Sequence, residues 1–298
     1  MTIENFFSNK FNQKDGVYIF NDEDKYTGNF SEQWIDFNHV QVDSFNKTSI
    51  SRDYLDELTF NGINNLKGKK VLEIGCGAGR FTEYIVKYAK LCVSVDLSKS
   101  IFYNVAKDNT NLILIKSDFL ELITKDKFDV VICRGVLQHT PNPNKSIVKL
   151  FDFINNDGLV FFDYYKKPKI GLFHPKYFFW RPLITSLFTY DSFKIFLQKN
   201  ISLLINIKKI IRILTFNSNF ISDTFVPLWD FRENRYVLNK ELFNNWTILD
   251  TLDGIFAKYD YPKKNSEIIK VLNENNYLIL ENDNFKNYFK VQLIKKDI

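Results

Sequence analysis

The sequence predicts an α/β protein: helices cover both faces of a doubly wound, mostly parallel sheet, and a mainly helical lid is inserted after the main strands. Short apolar runs alternate with helical patterns between residues 71 and 163, as in strand–helix–strand units. The first run leads into a glycine turn at Gly75, and acidic residues close or follow later runs. After Lys166 the alternation stops, and prolines, aromatic clusters and a long helical pattern indicate the lid.

The elements before the lid are predicted from the period of their apolar residues. Residues 1–25 predict an irregular lead, and residues 26–60 predict helical cover. Strands are predicted at 71–74, 92–95, 112–116, 128–133 and 159–163, with helices at 79–88, 99–107 and 145–153. This order gives an N-terminal arm and cover (1–60) and a sheet core (61–165), in which ligands bind beyond the carboxyl ends of the strands.

The lid is predicted to span residues 166–243, and residues 244–298 are predicted to return to the sheet. Residues 193–216 have a helical pattern, of which residues 198–216 are basic and amphipathic. Such a helix suits a membrane surface, and the alternative is a lid helix docked on the sheet domain. The returning segment is predicted to contain a capped helix from residue 266 and strands at 277–280 and 289–294.

A glycine turn between the first strand and the first helix predicts a nucleotide-like ligand. Gly75, Gly77 and Gly79 remove side chains where a ligand meets the backbone, and amides exposed at a helix start suit an anion. A dinucleotide-binding turn has its third glycine at the place that Arg80 occupies. Seventeen residues after Gly79, Asp96 closes the second strand, where a carboxylate accepts hydrogen bonds from two ribose hydroxyls.

These features resemble the class I S-adenosylmethionine-dependent methyltransferases, which have a Rossmann-like fold. Asp96-Leu97-Ser98 resembles the family's ribose-binding corner, and Ser117-Asp118-Phe119 resembles the acidic and apolar pair beside the adenine. The resemblance covers roughly residues 66–165, and the family's LKPGG turn is reduced here to Asp157-Gly158. It implies S-adenosyl-L-methionine as cofactor and S-adenosyl-L-homocysteine as product. The implied cofactor contacts are Glu73, Gly75, Gly77, Gly79, Arg80, Asp96, Leu97, Asp118, Phe119 and Arg134.

The acceptor site is predicted after the fourth and fifth strands and in the lid. An acceptor hydroxyl or amine can require a base, and His139 is the first candidate because imidazole accepts protons near neutral pH; capping of the next helix is its alternative role. Asp163 and Tyr164 end the fifth strand at the same rim and are the further predicted catalytic residues. Trp34 is predicted to close over the cofactor or to pack in the core. The residues predicted to bind an anionic acceptor are Lys166, His174, Lys176 and Arg181.

The composition and charge of the chain limit the partners and the cellular compartment that fit this chemistry. Residues 166–240 hold thirteen lysines and arginines against four acids, a net +9, so that the remainder of a chain with net charge +5 carries −4. Cys76, Cys92 and Cys133 lie in or beside predicted strands without a metal-binding spacing, which predicts reduced thiols, no metal site and a cytoplasmic protein. We find no secretion signal and no apolar run long enough to span a bilayer. Monomer and homodimer remain open.

The leading function is O- or N-methylation of a small, anionic acceptor, such as a sugar, a nucleotide-sugar or a glycan-linked phosphate, in bacterial polysaccharide biosynthesis. The alternatives are a nucleic-acid methyltransferase, a non-catalytic cofactor-binding module and a nicotinamide-dependent dehydrogenase. The loop Cys133-Arg134-Gly135-Val136 lacks the Asn/Asp-Pro-Pro-aromatic tetrad, which argues against nucleic acid. The intact glycine turn and acids argue against a non-catalytic module, and Arg80 argues against the dehydrogenase.

Overall fold

In the computed structural model, residues 3–21, 26, 28, 32, 35–168, 170–230 and 237–293 are described, and they contain one nine-stranded sheet. The strands are β1 (Asn12–Lys14), β2 (Val17–Ile19), β3 (Lys70–Ile74), β4 (Leu91–Asp96), β5 (Leu112–Lys116), β6 (Phe128–Cys133), β7 (Ile154–Asp163), β8 (Tyr277–Asp283) and β9 (Tyr288–Leu293). Their order is β1-β2-β5-β4-β3-β6-β7-β9-β8. Strands β2 to β7 run parallel, whereas β1 pairs antiparallel with β2, β9 with β7 and β8 with β9.

Helices cover both faces of this sheet, which confirms the predicted doubly wound α/β class. The α-helices in the described ranges are α1 (Asp43–Asn46), α2 (Ile50–Leu58), α3 (Thr82–Tyr88), α4 (Pro143–Leu150), α5 (Arg181–Leu187), α6 (Tyr190–Leu214), α7 (Asn219–Phe225), α8 (Lys240–Phe256) and α9 (Asn265–Glu274). Alternate residues of β3 point to opposite faces: Leu72 packs with α4 and α9, and Val71 packs with α2 and α3.

The strand register brings the predicted site residues to one edge. Ile74 pairs with Val95 of β4 and with Cys133 of β6, and Asp96 pairs with Lys116 of β5. The turn after each of these strands therefore opens at the same level. The chain leaves β3 toward β4 and β5 on one side and toward β6 and β7 on the other, so the order reverses next to the glycine turn, where α/β sheets bind ligands.

Two predicted elements differ from the structure. The lead predicted as irregular contains the β1–β2 hairpin, which extends the sheet because β2 pairs in parallel with β5. The predicted helix at 99–107 is only a 3₁₀ turn from Lys99 to Tyr103. The side chain of Asn104 ends it by accepting from Ala106 N and donating to Thr82 Oγ1, since asparagine competes with helical backbone bonds. The strand predicted at 289–294 is β9, and residue 294 lies outside the described residues.

The lid is a helical unit with its own apolar cluster, to which α5, α6 and α8 contribute. Helix α8 crosses the predicted boundary at residue 243, and its side chains pack in this cluster as far as Ile255. The long helix predicted at 193–216 is α6, and it packs against α8 in the apolar cluster of the lid, whereas the alternative interpretation expected it to dock on the sheet. No helix of the described segments combines the length and apolarity needed to cross a bilayer. Cys76, Cys92 and Cys133 are buried and free, as predicted.

Part of the lid's positive charge is compensated internally. Lys208 and Arg212 of α6 are buried, although the sequence pattern suggested a basic surface. Asp230 accepts two bonds from Arg212, at 2.5 and 2.6 Å, and lies 3.0 Å from Lys208 Nζ. Lys208 also pairs with Asp223 at 2.7 Å. This buried network holds α6, α7 and the segment after α7 together. Removing one partner would leave a buried charge without a compensating charge.

Candidate functional site

A cavity of about 820 Å³ lies at the carboxyl ends of the parallel strands, between the sheet and the lid. Of the site residues predicted from sequence, it is lined by Gly75, Gly77, Arg80, Asp96, Leu97, Asp118, Phe119, Arg134, His139, Asp163, Tyr164, Lys166, His174 and Lys176. Glu73, Gly79 and Arg181 do not line it. The structure therefore brings most of the predicted residues to one enclosed space, which is large enough for a nucleoside and a second small molecule.

The glycine turn shapes the cavity, and its glycine amides bond within the protein. Gly75 has φ +78°, and a Cβ there would lie 2.1 Å from Val136 Cγ2. The amides of Gly75 and Cys76 donate to Val95 O, Gly77 donates to Asp96 Oδ2, and Gly79 donates to Cys76 O. These four donors are therefore used inside the protein, and an anion held by exposed amides of this turn stays a prediction.

Gly79 packs against the chain after β4 and does not line the cavity. It has φ +95°, and a Cβ would lie 2.5 Å from Asn104 Oδ1 and 3.0 Å from Val105 N. The third glycine of the motif thus lets the chain after β4 approach the turn.

We expect Gly79→Ala to destabilise the protein by about 3 kcal/mol, because the new methyl group combines a clash with a strained left-handed backbone. Urea unfolding measures this change. Gly68→Ala is the matched control, since Gly68 has φ +74° with open space around it and incurs only the backbone strain. Equal losses in the two variants would contradict the packing role of Gly79.

Asp96 links the glycine turn to the cavity. Its Oδ2 accepts from Gly77 N at 2.7 Å, and its Oδ1 accepts from the amide and hydroxyl of Ser98 at 2.7 and 2.6 Å. Burial raises the pKa of Asp96, and these donors oppose the rise. Leu97 is buried beside it and lines the same wall. Since a carboxylate offers about four acceptor positions, Asp96 retains capacity for a ligand hydroxyl.

Asp118 and Phe119 form the neighbouring wall. Asp118 Oδ1 caps the following 3₁₀ turn by accepting from Leu120 N at 3.0 Å. Its Oδ2 accepts from Tyr26 OH at 3.3 Å. Phe119 is buried and lines the cavity. A carboxylate beside an apolar ring suits an adenine, whose amino group donates and whose face stacks.

Arg80 presents an unsatisfied donor to the cavity. Its Nε donates to Ser51 Oγ at 3.0 Å and its Nη1 donates to Gln41 Oε1 at 2.6 Å, whereas Nη2 is buried without a hydrogen-bond partner among the described residues. Burial and the nearby Arg134 lower the pKa of Arg80 to about 10. A buried guanidinium with a spare N–H is a binding site for a carboxylate, so this residue fits the amino-acid end of S-adenosylmethionine.

Glu73 lies beneath the cavity and orders its floor. Oε2 accepts from Thr82 Oγ1 at 2.6 Å and from Ser94 Oγ at 2.7 Å. The side chain is buried, and Oε1 makes no hydrogen bond within the described segments. The predicted contact between Glu73 and the cofactor is therefore not present in this arrangement, and the residue ties β3 to β4 and α3.

Glu73 makes stability depend on pH. Burial raises the pKa of Glu73 from 4.5 to about 7, so the folded protein holds this proton more tightly than the unfolded chain. The resulting stability is complete below pH 4.5, is lost as the pH rises through about 7, and is on the order of 3 kcal/mol. We expect Glu73→Gln to remove this part of the pH dependence of the free energy of unfolding, measured with urea. An unchanged slope would contradict the assignment.

Arg134 and Asp163 form a pair at the ends of β6 and β7. Arg134 Nε lies 3.7 Å from Asp163 Oδ2, and Arg134 Nη2 donates to Tyr288 OH at 3.2 Å. Asp163 Oδ1 accepts from Gly135 N at 2.6 Å. Burial raises the pKa of Asp163, and Arg134 opposes the rise. Asp163 therefore shapes the loop after β6, and its predicted catalytic role stays a prediction.

The imidazole of His139 has a defined tautomer. Its Nδ1 lies 2.8 Å from Tyr259 O, and because a carbonyl only accepts, Nδ1 carries the proton. In the neutral ring Nε2 is then the basic atom, and it lies 3.9 Å from Asp253 Oδ1. The ring of Tyr165 meets His139 edge-on at 5.3 Å. This arrangement holds the imidazole in one orientation toward the lid.

Tyr164 reaches the cavity as a neutral phenol. Its hydroxyl is buried and has no hydrogen-bond partner among the residues that the structure describes. Burial raises the pKa of Tyr164 above its usual range, so the group stays protonated and can donate a hydrogen bond. The predicted catalytic role of Tyr164 stays a prediction, and the protonated phenol suits a hydrogen-bond donor better than a base.

The basic residues predicted to bind an anion are largely engaged with the protein. Lys176 Nζ lies 2.7 Å from Asp260 Oδ2, and Arg181 Nη1 lies 3.5 Å from the same oxygen. Lys166 Nζ donates to the carbonyls of residues 284 and 285 at the rim. His174 Nδ1 accepts from Lys176 N at 3.3 Å, and burial lowers the pKa of His174. The structure thus contradicts a free anion-binding cluster.

Sequence reasoning missed the lid's acidic contribution. Asp250 and Asp253, three residues apart on α8, both line the cavity, and each has a buried oxygen without a hydrogen bond in the described part of the chain. The rings of Trp229 and Trp246 line it as well. The sequence contained one local indication of this feature, the i, i+3 spacing of the two acids. That spacing does not show which face of the helix lies against the cavity. Trp34 lies outside the described residues.

A family model described as a methyltransferase domain matches residues 46–200, just over half of the chain. A ubiquinone biosynthesis O-methyltransferase of Coxiella burnetii is 34% identical over 103 residues, which are 33% of this chain and 44% of that protein. Its counterpart in Pseudomonas fluorescens is 30% identical over 116 residues, or 37% of this chain and 50% of that protein. The chain therefore spans half the length, or less, of these curated relatives.

A solved structure extends the likeness beyond this segment. PKMT2 from Rickettsia typhi, in complex with AdoHcy, aligns with a TM-score of 0.51 and 19% identity, covering 76% of this chain and 44% of that chain. At this identity the likeness concerns the fold alone.

Proposed function

This chain belongs to the methyltransferase domain family of class I, S-adenosylmethionine-dependent enzymes, and we propose that it methylates a small molecule held between the sheet and the lid. The proposal depends on one observation above all. A single cavity contains the carboxylates of Asp96 and Asp118, the buried donor of Arg80 and the oriented imidazole of His139.

The first three of these groups fit the parts of S-adenosylmethionine. Asp96 suits the ribose, Asp118 with Phe119 suits the adenine, and the spare N–H of Arg80 suits the carboxylate. When bound, this cofactor supplies an activated methyl group on its sulfonium. The protein then has to align the acceptor and remove its proton.

We propose that the acceptor is uncharged or cationic and carries a hydroxyl or amine. The anionic sugar or glycan acceptor expected from sequence depended on Lys176 and Arg181, which pair with Asp260. The lid presents Asp250 and Asp253 instead. Burial raises the pKa of both groups; as carboxyl groups they can exchange hydrogen bonds with an uncharged acceptor, and as carboxylates they repel an anion. Curated relatives are named as O-methyltransferases, so a hydroxyl is the first candidate. In that reaction oxygen bonds to the methyl carbon, the carbon–sulfur bond breaks, and His139 Nε2 receives the proton.

Transfer of an isotope-labelled methyl group tests this function. The protein is incubated with methyl-labelled S-adenosylmethionine and with separate fractions of small molecules, protein and nucleic acid. We expect label in a small-molecule product, and cation exchange should retain that product at least as strongly as its precursor. Label confined to RNA would support the nucleic-acid alternative, and NAD binding in place of cofactor binding would support the dehydrogenase.

We expect Arg80→Met to weaken S-adenosylhomocysteine binding about tenfold or more, because a charged hydrogen bond contributes roughly 1.5–3 kcal/mol. Isothermal titration calorimetry measures the change. The matched ligand is 5′-methylthioadenosine, which lacks the amino-acid tail and should bind wild type and variant alike. Equal losses for both ligands would mean that Arg80 supports the pocket without contacting the carboxylate.

A further inference from the structure

The longest helix, α6, is apolar on two faces, and the lid covers only one of them. Phe193, Leu197, Ile201 and Ile205 are buried in the lid cluster at a spacing of four residues. This stripe explains how the helix docks, because side chains four residues apart lie on the same face. It does not account for the aliphatic residues between them.

The second stripe faces outward. Leu203, Ile207, Ile210 and Leu214 follow at helical spacing on the side opposite Ile201 and Ile205, and Leu203 and Leu214 are 58% and 74% exposed. Phe216, which is 97% exposed, and Phe220 at the start of α7 continue the apolar surface. Single exposed apolar residues are ordinary, but a contiguous patch of this kind marks an interaction site. We call these six residues the outer face.

The charges beside the outer face are positive. Lys199 lies one turn before Leu203, and Lys209 lies one turn before Ile213; both are exposed, and neither forms an ion pair within the described segments. Residues 192–214 contain no aspartate or glutamate. Lysine side chains can extend from an apolar surface to reach phosphate groups, so the pattern is complementary to an anionic lipid surface.

The outer face adjoins the cavity. The ring of Phe220 contacts the ring of His174, with centroids 6.1 Å apart, and His174 lines the cavity. Asp223 of α7 lines the cavity as well. A surface that binds the outer face would therefore lie close to the wall of the cavity that His174 and Asp223 form.

We propose that the outer face docks the protein on the surface of a bilayer that contains anionic lipids. The apolar side chains enter the boundary between headgroups and acyl chains, and Lys199 and Lys209 contact lipid phosphates. The helix lies in the plane of the membrane and does not cross it. This docking is independent of methyl transfer, and it brings the wall of the cavity at His174 close to the membrane surface.

A second copy of the chain is the competing occupant, and the charges disfavour it. Interfaces between identical copies are depleted of lysine at their centre. A two-fold contact through α6 would place Lys199 and Lys209 of both copies near one another, and the helix supplies no acid after Asp191 to pair with them.

Vesicle flotation of the full chain tests the proposal. We expect the wild type to float with vesicles of phosphatidylcholine and phosphatidylglycerol, and to float less with phosphatidylcholine alone. The double variant Leu203→Asp with Ile210→Asp should lower the partition coefficient about tenfold or more, because each side chain loses its transfer into an apolar layer. The control is Ile123→Asp, an aliphatic residue that is 60% exposed outside the lid, and it should float like the wild type.

Three outcomes would overturn the proposal. The first is a wild type that stays unbound to both vesicle types, and the second is an equal loss in the control and the double variant. The third is sedimentation showing a dimer that the double variant dissociates, which would assign the outer face to a second copy. Thermal unfolding of each variant checks its fold, and S-adenosylhomocysteine binding, measured without vesicles, should be the same in all of them. Loss of that binding in the wild type would count against the proposed function and not against docking.

Discussion

Asp96→Ala is expected to weaken S-adenosylhomocysteine binding by about a hundredfold or more, since hydrogen bonds to a charged group contribute roughly 1.5–3 kcal/mol each. Two effects combine in this change. The variant loses the carboxylate proposed to accept from the ribose, and it releases the Gly77 amide that Asp96 holds at 2.7 Å. Isothermal titration calorimetry measures the loss, and circular dichroism checks that the variant is folded.

The control variants separate these two effects. Asp96→Asn keeps one oxygen for Gly77 or Ser98 and should retain more of the fold while still losing affinity. Asp108→Ala, at an exposed site outside the cavity, should bind like the wild type. Unlike Arg80→Met, the Asp96 variants should also lose 5′-methylthioadenosine, because that ligand keeps the ribose. Unchanged affinity in Asp96→Ala would refute the ribose assignment.

His139→Ala is expected to lower kcat by about 10²–10⁴-fold, the range that a positioned general base contributes. The physical reason is the tautomer: Tyr259 O holds the proton on Nδ1, so Nε2 remains available as the proton acceptor. Cofactor affinity should not change, because His139 lies outside the glycine turn. Single-turnover transfer of labelled methyl to the identified acceptor measures kcat, and calorimetry measures the affinity.

The matched control is His174→Ala, the other histidine that lines the cavity. Its Nδ1 accepts from a backbone amide within its own turn, so we expect a much smaller loss in kcat. Full activity in His139→Ala would show that methyl transfer needs no base here, as for an acceptor that loses its proton to water. A reduced cofactor affinity in the same variant would instead indicate a structural role.

Local patterns predicted the part of the site that lies on the sheet. The alternation of strands and helices placed Gly75, Asp96, Asp118 and Arg134 at strand ends, and the register aligned those ends as expected. The roles of the individual glycines were harder to predict from the sequence. Gly79 packs against Asn104, which lies 25 residues later in the sequence. A hydrophobic pattern that spans only a few residues cannot predict that contact.

The sequence by itself determined the sheet, the turn that opens at its edge and the helical nature of the lid, because these follow from hydrophobic periods and glycine positions within a few residues. Only the tertiary structure decided which charges face the cavity. It paired Lys176 with Asp260 and turned Lys208 inward, while it brought Asp250 and Asp253 to the cavity. The physical reason is that the ionisation of a side chain in a folded protein depends on its partners and its burial. Both of these are determined by segments that meet only after folding.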